Sequence, residues 1–411
     1  MTRHPADQAP ASAFKMQPKE KRASFSLASI FALRMLGLFV ILPVFSVYAH
    51  QLPGGDSEFL VGVTLGIYGL TQGILQIPFG LASDRFGRKP VIVFGLVIFA
   101  LGSFLAAWGD NIWVVMIGRM IQGAGAISAA VTAFISDSVR DTVLTKAMAM
   151  VGASIGLTFA VSLVISPTLA RWCGVDGLFF ITGVLAVLAI GVVKYIVPNA
   201  PKELSAKGEE AQHRPWQAIA FAPQLLRLNF GIFALHMVLT AIFVVVPPRL
   251  VSMGLESASH WWVYLPAVLI GFAFMVPPIV LGEKRGKTVK ILRIMTMLLA
   301  VVLCLFAYLM HSIWEIAFLL TLFFMCFNVL EAVLPGLISR AAPKADKGLA
   351  LGIYNTTQNI GLFIGGAAGG WLSEHWSAEA VFLCAAVVML ASFFSSAGLE
   401  EPKRERKNAG E

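Results

Sequence analysis

The sequence contains little charge for its length. Lys, Arg, Asp and Glu make up 13% of the 411 residues, whereas 57% are hydrophobic. Because charged residues approach a quarter of an ordinary soluble domain, this composition excludes a soluble globular protein. It indicates a polytopic membrane protein instead.

Cysteine is also scarce, with four residues scattered along the chain, no CxxC pair and no nearby histidine at a ligand spacing. This pattern supports neither a disulfide framework nor a metal site. The sequence also has no phosphate-binding glycine loop, GxSxG motif or HExxH motif. We therefore expect no enzyme and no cofactor, and any active transport must draw on an ion gradient.

Long apolar windows recur along the chain, each of a length that lets a helix cross about 30 Å of hydrocarbon. Twelve such windows lie at about 25–49, 59–81, 90–109, 112–136, 146–170, 177–197, 225–248, 260–282, 289–310, 313–338, 347–371 and 378–398. The sequence therefore predicts an all-α polytopic membrane protein with twelve transmembrane helices.

The basic residues outside these windows are distributed unequally. Only Arg171 and Arg249 fall on the side opposite to the two termini. Since lysine and arginine are retained on the cytoplasmic side, we expect both termini to be cytoplasmic. The same distribution accounts for the net charge of +8 through contact with anionic lipid, without a nucleic acid partner. Residues 1–24 have no cleavage signal and are predicted to be a retained cytoplasmic tail.

The two halves of the chain resemble each other at an offset near 200 residues. Phe31–Met35 matches Phe233–Met237, and Ile112–Trp113 matches Ile313–Trp314. We predict a six-helix bundle at 25–197, a cytoplasmic linker at 198–222, a second six-helix bundle at 223–399 and a cytoplasmic tail at 400–411. Such duplicated halves favour a carrier with one central site over a channel, which stays open as an alternative.

Two motifs within the first half carry a family resemblance. The loop after the second span fits the signature G-x-x-x-D-R-x-G-R-K with Gly80, Asp84, Arg85, Gly87, Arg88 and Lys89, and Arg119 with Gly123 fits a second signature in the fourth span. On these motifs the chain resembles the major facilitator superfamily, in particular its drug–proton antiporter branch, over residues 25–400. The resemblance implies two pseudo-symmetric six-helix bundles in a bacterial inner membrane and proton-coupled export by alternating access.

Two departures from that resemblance keep alternatives open. Antiporters of this branch carry G-x-x-x-G-P-x-x-G-G in the fifth span, but here only Gly152 and Gly156 remain and Leu157 replaces the proline. This departure favours proton-coupled uptake as the alternative. Within that branch the chain also resembles a group of bacterial inner-membrane transporters that carry a small soluble domain after the last span, and we expect that domain to be missing from, or to have been cut from, this sequence.

The charged loop is predicted to act as a conformational latch. The residues predicted to form this latch are Gly80, Asp84, Arg85, Gly87 and Arg88 of the loop and Asp137 at the cytoplasmic end of the fourth span. We expect Asp84 to face the N-terminus of the eleventh span near Lys347, where the helix dipole favours an anion. Arg88 is expected to pair with Asp137, and together these contacts would hold the two halves in the outward-open state. The alternative is that the charges only set the topology.

Four ionisable residues lie inside predicted spans, where charge is costly and rarely faces lipid. They are Arg34, Arg119, His236 and Glu331. Glu331 is the only carboxylate deep in a span and is our candidate for the proton carrier or for a contact with a cationic substrate. The alternative is a structural pair with Arg34 or Arg119. His236 occupies the repeat position of Arg34 and belongs to a residue type that titrates near neutral pH.

Polar residues at helical spacing are predicted to line a substrate cavity, although similar stripes also hold helices together. They are Tyr68, Gln72, Gln76, Asn328, Asn355, Gln358 and Asn359. The interpretation is a secondary transporter for a small amphipathic or cationic compound, with protons and membrane lipid as further partners. An uncoupled channel is the alternative from a different class, and a monomer suffices for this architecture.

Overall fold

The computed structural model describes residues 16–199, 215–343 and 346–401, except for the side chains at 141, 142, 145 and 149. Parts of the predicted tails and linker, at 1–15, 200–214 and 402–411, lie outside the described residues. The described residues form helices joined by short turns.

Within the described residues, the first half contains seven helices. They are α1 (Pro18–Phe39), α2 (Leu42–Ala49), α3 (Glu58–Phe86), α4 (Arg88–Ala107), α5 (Ile112–Ala124), α6 (Ser128–Ser138) and α7 (Asp141–Gly191), which continues into a π-helical turn at Val192–Ile196. We call the end of the bundle at which α1 begins the terminal end and the opposite end the far end.

The second half begins with a short helix, α8 (Trp216–Ala220). The helices that follow are α9 (Pro223–Ser252), α10 (Trp261–Arg285), α11 (Thr288–Tyr308), α12 (Ile313–Ala341), α13 (Lys347–His375) and α14 (Ala378–Ser395), with single 3₁₀ turns at Ser257–Ser259 and Ser396–Gly398. Since α14 ends at the terminal end, both ends of the described chain lie on the same side.

The described helices accommodate the twelve predicted spans. Ten helical segments within the described residues are long and apolar enough to cross a membrane. One of them contains α7, which holds both the fifth and the sixth span with a break at Gly174, where φ is 71°. The eleventh predicted span is α13, which is 29 residues long but too rich in glycine and polar residues to reach the same hydropathy.

The predicted first and fourth spans are each interrupted, which corrects the expectation of continuous helices. α1 ends at Phe39 and α2 begins three residues later, at Leu42. Pro43 lies in the first turn of α2, where the backbone N–H that proline lacks would have no partner within the helix. The fourth span breaks between α5 and α6, where Gly125 lies so close to the carbonyl of Gly95 that a Cβ would overlap it. Apolar residues continue across both breaks, so hydrophobicity alone does not reveal them.

The two halves meet at the far end through direct backbone contact between α3 and α13. A Cβ built on Gly62 would overlap the carbonyl oxygen of Gly366, and one built on Gly370 would overlap the carbonyl oxygen of Glu58. On its other side, α13 approaches α9 in the same way at Gly361. Small residues permit this approach, so the far end of the molecule is closed.

Towards the terminal end, α3 and α13 separate. Thr356 Oγ1 still donates to the carbonyl of Gly73 at 3.3 Å. One turn further along α13, a Cβ built on Gly352 would meet no atom within 4 Å, and Gly80 of α3 faces only Ala129 of its own half. The two helices therefore splay apart, and the molecule is open at the terminal end.

The hydrophobic cores follow the same division. One core cluster contains far-end residues of the first half, such as Val61 and Phe159, together with most of the buried residues of the second half. The other cluster, from Leu27 to Val197, contains only residues of the first half near the terminal end. The halves thus share a core where they touch and have separate cores where they splay.

The glycine contact generates a prediction about the far end. Because a Cβ at position 366 would overlap the Gly62 carbonyl, Gly366→Ala should destabilise the closed far end by about 1–3 kcal/mol, the usual cost of overpacking. The measurement is the distance between spin labels at positions 56 and 375 in a cysteine-free background. We expect a shift towards longer distances.

The matched control for this experiment is Gly352→Ala on the same helix, where the added Cβ has open space. It should leave the distance distribution unchanged. Equal distributions for the two variants would show that close backbone packing does not hold the far end shut.

Candidate functional site

Glu331 lies midway along α12 and faces a residue of α9. Its Oε2 is 3.7 Å from His236 Nε2. About a third of the Glu331 side chain (34%) is accessible, whereas Oε2 itself is buried and has no hydrogen-bond partner. Glu331 thus combines a side chain that solvent partly reaches with a buried carboxylate oxygen that no described residue satisfies.

The neighbours of His236 assign its protonation state. Nδ1 lies 3.3 Å from the carbonyl of Ile232, and because a carbonyl only accepts, Nδ1 carries a proton. Nε2 lies 2.6 Å from Gln358 Nε2, and because an amide nitrogen only donates, Nε2 is the acceptor. With the Gln358 amide in the orientation it takes here, the contacts of His236 correspond to a neutral ring whose proton points away from Glu331.

An aromatic wall stands next to this pair and crosses from one half to the other. The rings of Phe327 and His236 have centroids 5.9 Å apart. Phe327 in turn contacts Phe159 of the first half at 6.0 Å, and Phe159 contacts Phe39 at 5.0 Å. The carboxylate of Glu331 is thus bordered by an apolar aromatic surface, an arrangement that suits a ligand with a polar group on an apolar body.

The two buried arginines lie in the first half and not beside Glu331. Arg119 donates to Gln122 Oε1 at 2.7 Å and to the carbonyl of Gly37 at 3.2 Å, while Arg34 donates to Ser128 Oγ. Their guanidinium carbons lie 4.8 and 6.0 Å from the ring centre of Tyr68. Neither arginine forms an ion pair with a described residue.

The four ionisable residues predicted for proton coupling therefore fall into two groups in different halves. In the alternative interpretation, Glu331 forms a structural pair with Arg34 or Arg119, but in this conformation Glu331 contacts His236. Glu331 does not pair with either arginine because both arginines are fully enclosed by α1, α3, α5 and α6 of the first half. The coupling role of these residues stays a prediction.

The residues predicted to line the cavity divide in a similar way. Tyr68, Gln72 and Gln76 are buried inside the first half, and Asn328 and Asn359 are buried in the second. Asn355 and Gln358 on α13 are partly exposed, and Gln358 contacts His236. In this conformation Gln358 is thus the predicted cavity residue that belongs to the Glu331 group.

The charged loop joins α3 to α4 through Gly87, whose φ of 93° favours glycine. Arg88 Nε donates to Asp137 at 2.8 Å, as the sequence indicated, and its Nη1 donates to Ser83 and to Asp84. Arg85 stacks on Phe86, with 5.5 Å between the guanidinium carbon and the ring centre. Gly80 faces α6 of its own half.

The predicted contact of Asp84 with the start of α13 is absent from the contacts of the described residues. Asp84 bonds to Arg88 in its own half, and 62% of its side chain is exposed. The physical reason is the separation of α3 and α13 at the terminal end, which carries Lys347 away from the loop. The latch stays a prediction for the conformation in which the terminal end is closed.

A contact between the halves that the sequence did not reveal lies at the far end. Glu374, in the last turn of α13, accepts from Ser57 Oγ at 2.7 Å and from the backbone N–H of Phe59 at 2.9 Å. An anion at a helix N-terminus is stabilised by the free N–H groups and the helix dipole. The only signal in the sequence was a carboxylate at the end of one span and a serine before another.

This contact generates a second prediction. Glu374→Ala removes two hydrogen bonds between the halves, so it should favour opening of the far end by roughly two- to fivefold, as expected if the two bonds together contribute about 0.5–1 kcal/mol at this exposed site. The measurement is the modification rate of a cysteine introduced in place of Leu362, which is buried against Gly69 of α3 in the closed state and is larger than cysteine.

The control is Glu379→Ala, which removes an exposed carboxylate from the first turn of α14 at the same end. Its modification rate should equal that of the parent. If Glu374→Ala behaved like this control, the capping contact would not contribute to closure.

The fold and the site together define a class of protein. Two pseudo-symmetric helical bundles in a membrane, closed at one end and open at the other, form the framework of a carrier that exposes a central site alternately to each side. The family model of the Major Facilitator Superfamily matches residues 27–327 and 280–411. The chain belongs to the major facilitator superfamily, and this confirms the resemblance drawn from its motifs.

The relatives of this chain are transporters and not enzymes. It is 41% identical to the Inner membrane transport protein YajR of Escherichia coli (strain K12) over 389 residues, which are 95% of this chain and 86% of that protein. It is 28% identical to the Multidrug resistance protein MdtH of Yersinia pestis (strain Pestoides F) over 354 residues, 83% of this chain and 84% of that protein. It is thus a multi-pass membrane transporter of a small-molecule substrate.

Solved structures confirm the fold. The structure of a D-xylose-proton symporter superposes with a TM-score of 0.72 at 18% identity, covering 92% of this chain and 98% of that one. The structure of the human organic anion transporter MFSD10 gives 0.69 at 16% identity, covering 92% of this chain and all (100%) of that one. At these identities the likeness concerns the fold alone.

Proposed function

We propose that this protein is a secondary active transporter that exports a small amphipathic or cationic compound in exchange for protons. The observation that carries the proposal is the Glu331 carboxylate, whose buried Oε2 has no hydrogen-bond partner while the side chain is partly accessible, beside His236 and an aromatic wall. A proton or the cationic group of a substrate would satisfy the same carboxylate, and such competition is what exchange requires.

We further propose that the terminal end faces the cytoplasm. The distribution of lysine and arginine supports this orientation. In that case the conformation described here opens inward, and Glu331 is ready to receive a substrate from the cytoplasm. Closing the terminal end would bring α3 and α13 together and place Asp84 near the start of α13, which is the predicted latch.

The energy source in this proposal is the proton gradient, with no cofactor. Each elementary charge that moves across the membrane gains about 2.3 kcal/mol per 100 mV of potential. Protonation of Glu331 from the far side would displace a cationic substrate there, and deprotonation in the cytoplasm would restore the carboxylate. The similarity to MdtH, a multidrug resistance protein, supports export, and a monomer suffices for this cycle.

Proton-coupled uptake is the second candidate, and one observation favours it. The antiporter signature of the fifth span is incomplete, with Leu157 where the resemblance implies proline. An uptake symporter would use Glu331 in the same place but would bind proton and substrate together. The direction of proton movement therefore separates the two candidates.

The test uses inside-out vesicles with an acid interior, a dye sensitive to ΔpH, and a panel of cationic and neutral compounds. Export by antiport predicts that at least one compound triggers alkalinisation of the interior and that Glu331→Gln abolishes the response. Glu331→Gln keeps the shape of the side chain but removes its charge and its proton.

The matched control for that test is Glu315→Gln, another carboxylate on α12 that bonds locally to the backbone of His311. It should respond as the wild type does. A response in Glu331→Gln equal to that of the wild type would contradict the proposal. Compound-dependent proton entry that occurs only with the opposite gradient would favour uptake.

The neutral state of His236 leads to a further prediction. Gln358→Leu removes the amide that donates to Nε2, so the ring can take a second proton and form an ion pair with Glu331. The histidinium would then pair with the Glu331 carboxylate and compete with the cationic compound that gave the vesicle response. Binding of that compound should weaken by tenfold or more, since a charged hydrogen bond is worth roughly 1.5–3 kcal/mol.

The double variant His236→Gln with Gln358→Leu shows whether a histidinium causes the weaker binding of Gln358→Leu, because the double variant cannot form one. It should recover most of the lost binding in a titration of purified protein with that compound. If the double variant bound as weakly as Gln358→Leu alone, Gln358 would act by contacting the compound directly and not by keeping His236 neutral.

A further inference from the structure

A groove on the outer surface of the second half lies apart from the Glu331 site. It has a volume of about 570 Å³ and runs between the terminal ends of α11 and α14. Its walls are mainly apolar and include Ile294, Leu298 and Phe393. Ile294 and Leu298 are each 44% exposed, so the groove opens towards the hydrocarbon that surrounds the bundle.

Two cations lie in the same groove, on the first turn and a half of α11. Lys290 and Arg293 both line it, and neither forms an ion pair with a described residue. The guanidinium carbon of Arg293 lies 5.1 Å from the ring centre of Phe393, and its buried Nε has no hydrogen-bond partner. This end of the groove therefore carries positive charge without an acceptor.

Among the described residues that line the groove, the one carboxylate is already engaged. Glu401 Oε1 accepts from the backbone N–H of Val289 at 2.8 Å and from that of Lys290 at 3.3 Å. It caps the start of α11 and does not pair with either cationic side chain. The residues that follow it include Lys403, Arg404, Arg406 and Lys407, so like charge opposes occupation of the groove by the chain itself.

Along α11, cationic side chains come first and apolar side chains follow, which matches the order of headgroup and acyl chains in a phospholipid. The cations at 290 and 293 lie nearest to the membrane surface at the terminal end, and the apolar residues at 294, 297 and 298 lie deeper. Basic pockets between helices at this depth bind anionic headgroups. We propose that the groove binds an anionic phospholipid, with its phosphate between Lys290 and Arg293 and an acyl chain along Ile294 and Leu298.

This proposal is independent of the substrate and of the direction of transport, because none of its residues belongs to the Glu331 site. The test compares binding of phosphatidylglycerol and phosphatidylcholine with identical acyl chains to the purified full chain in detergent, measured by native mass spectrometry. We expect tighter binding of phosphatidylglycerol. In Lys290→Gln with Arg293→Gln that preference should fall by roughly fivefold for each charge removed.

The matched control is Arg285→Gln with Lys287→Gln, which removes two exposed cations from the same end of the molecule outside the groove. It should keep the preference of the wild type. A second variant, Leu298→Trp, fills the groove without a change of charge and should weaken binding of both lipids. Together these variants separate the groove from general surface charge.

Three results would overturn the proposal. The first is equal binding of the two lipids by the wild type, and the second is an equal loss of preference in the groove variant and the control. The third is displacement of phosphatidylglycerol by millimolar glycerol 1-phosphate, since that would show a site for soluble phosphates without a role for the acyl chain.

Discussion

The contact of α3 with α13 at the far end is the constraint on which the rest of the arrangement depends. Helices joined through glycine backbones approach more closely than side chains would allow, and the approach is lost within one turn when the small residues no longer face each other. Because the halves touch at one end only, the space between them opens at the other end. That geometry places the charged loop out of reach of α13 and leaves Glu331 accessible.

Buried charge is sorted between the halves. The first half holds Arg34 and Arg119 around Tyr68, and the second holds Glu331 with His236 and Gln358. Each group lies within its own half, and the aromatic wall from Phe39 to Phe327 joins the halves beside His236. In our proposal, movement of the halves therefore changes what the acid faces without separating it from its own helix neighbours.

The sequence predicted the features that depend on composition, spacing and repetition. The spans, the duplication and the Arg88–Asp137 contact could be read from it, because hydrophobic length, periodicity and motif residues are local properties. The breaks near Pro43 and Gly125 were missed because apolar residues continue across them.

The partners of individual residues were harder to predict, because each depends on how distant helices pack. Nothing local shows that Glu374 reaches the start of α3, or that Glu331 contacts His236 and not an arginine. Packing also decides which conformation the molecule takes. The Asp84 contact was expected for the conformation with a closed terminal end, whereas the described conformation is open there. Sequence indicates which residues are chemically capable, and packing decides which of them meet.

The division of the hydrophobic core has a mechanical consequence. The first half keeps a separate core at its terminal end, so it can turn there as a rigid body about the shared far-end core, which serves as a pivot. α3 continues for 13 residues beyond Gly73, whose carbonyl accepts from Thr356 of α13, and at about 1.5 Å per residue this is a lever arm of roughly 20 Å. A rotation of about ten degrees would then move its end by 3 to 4 Å, roughly the width of one layer of side chains, so a small tilt is enough to seal or unseal the entrance.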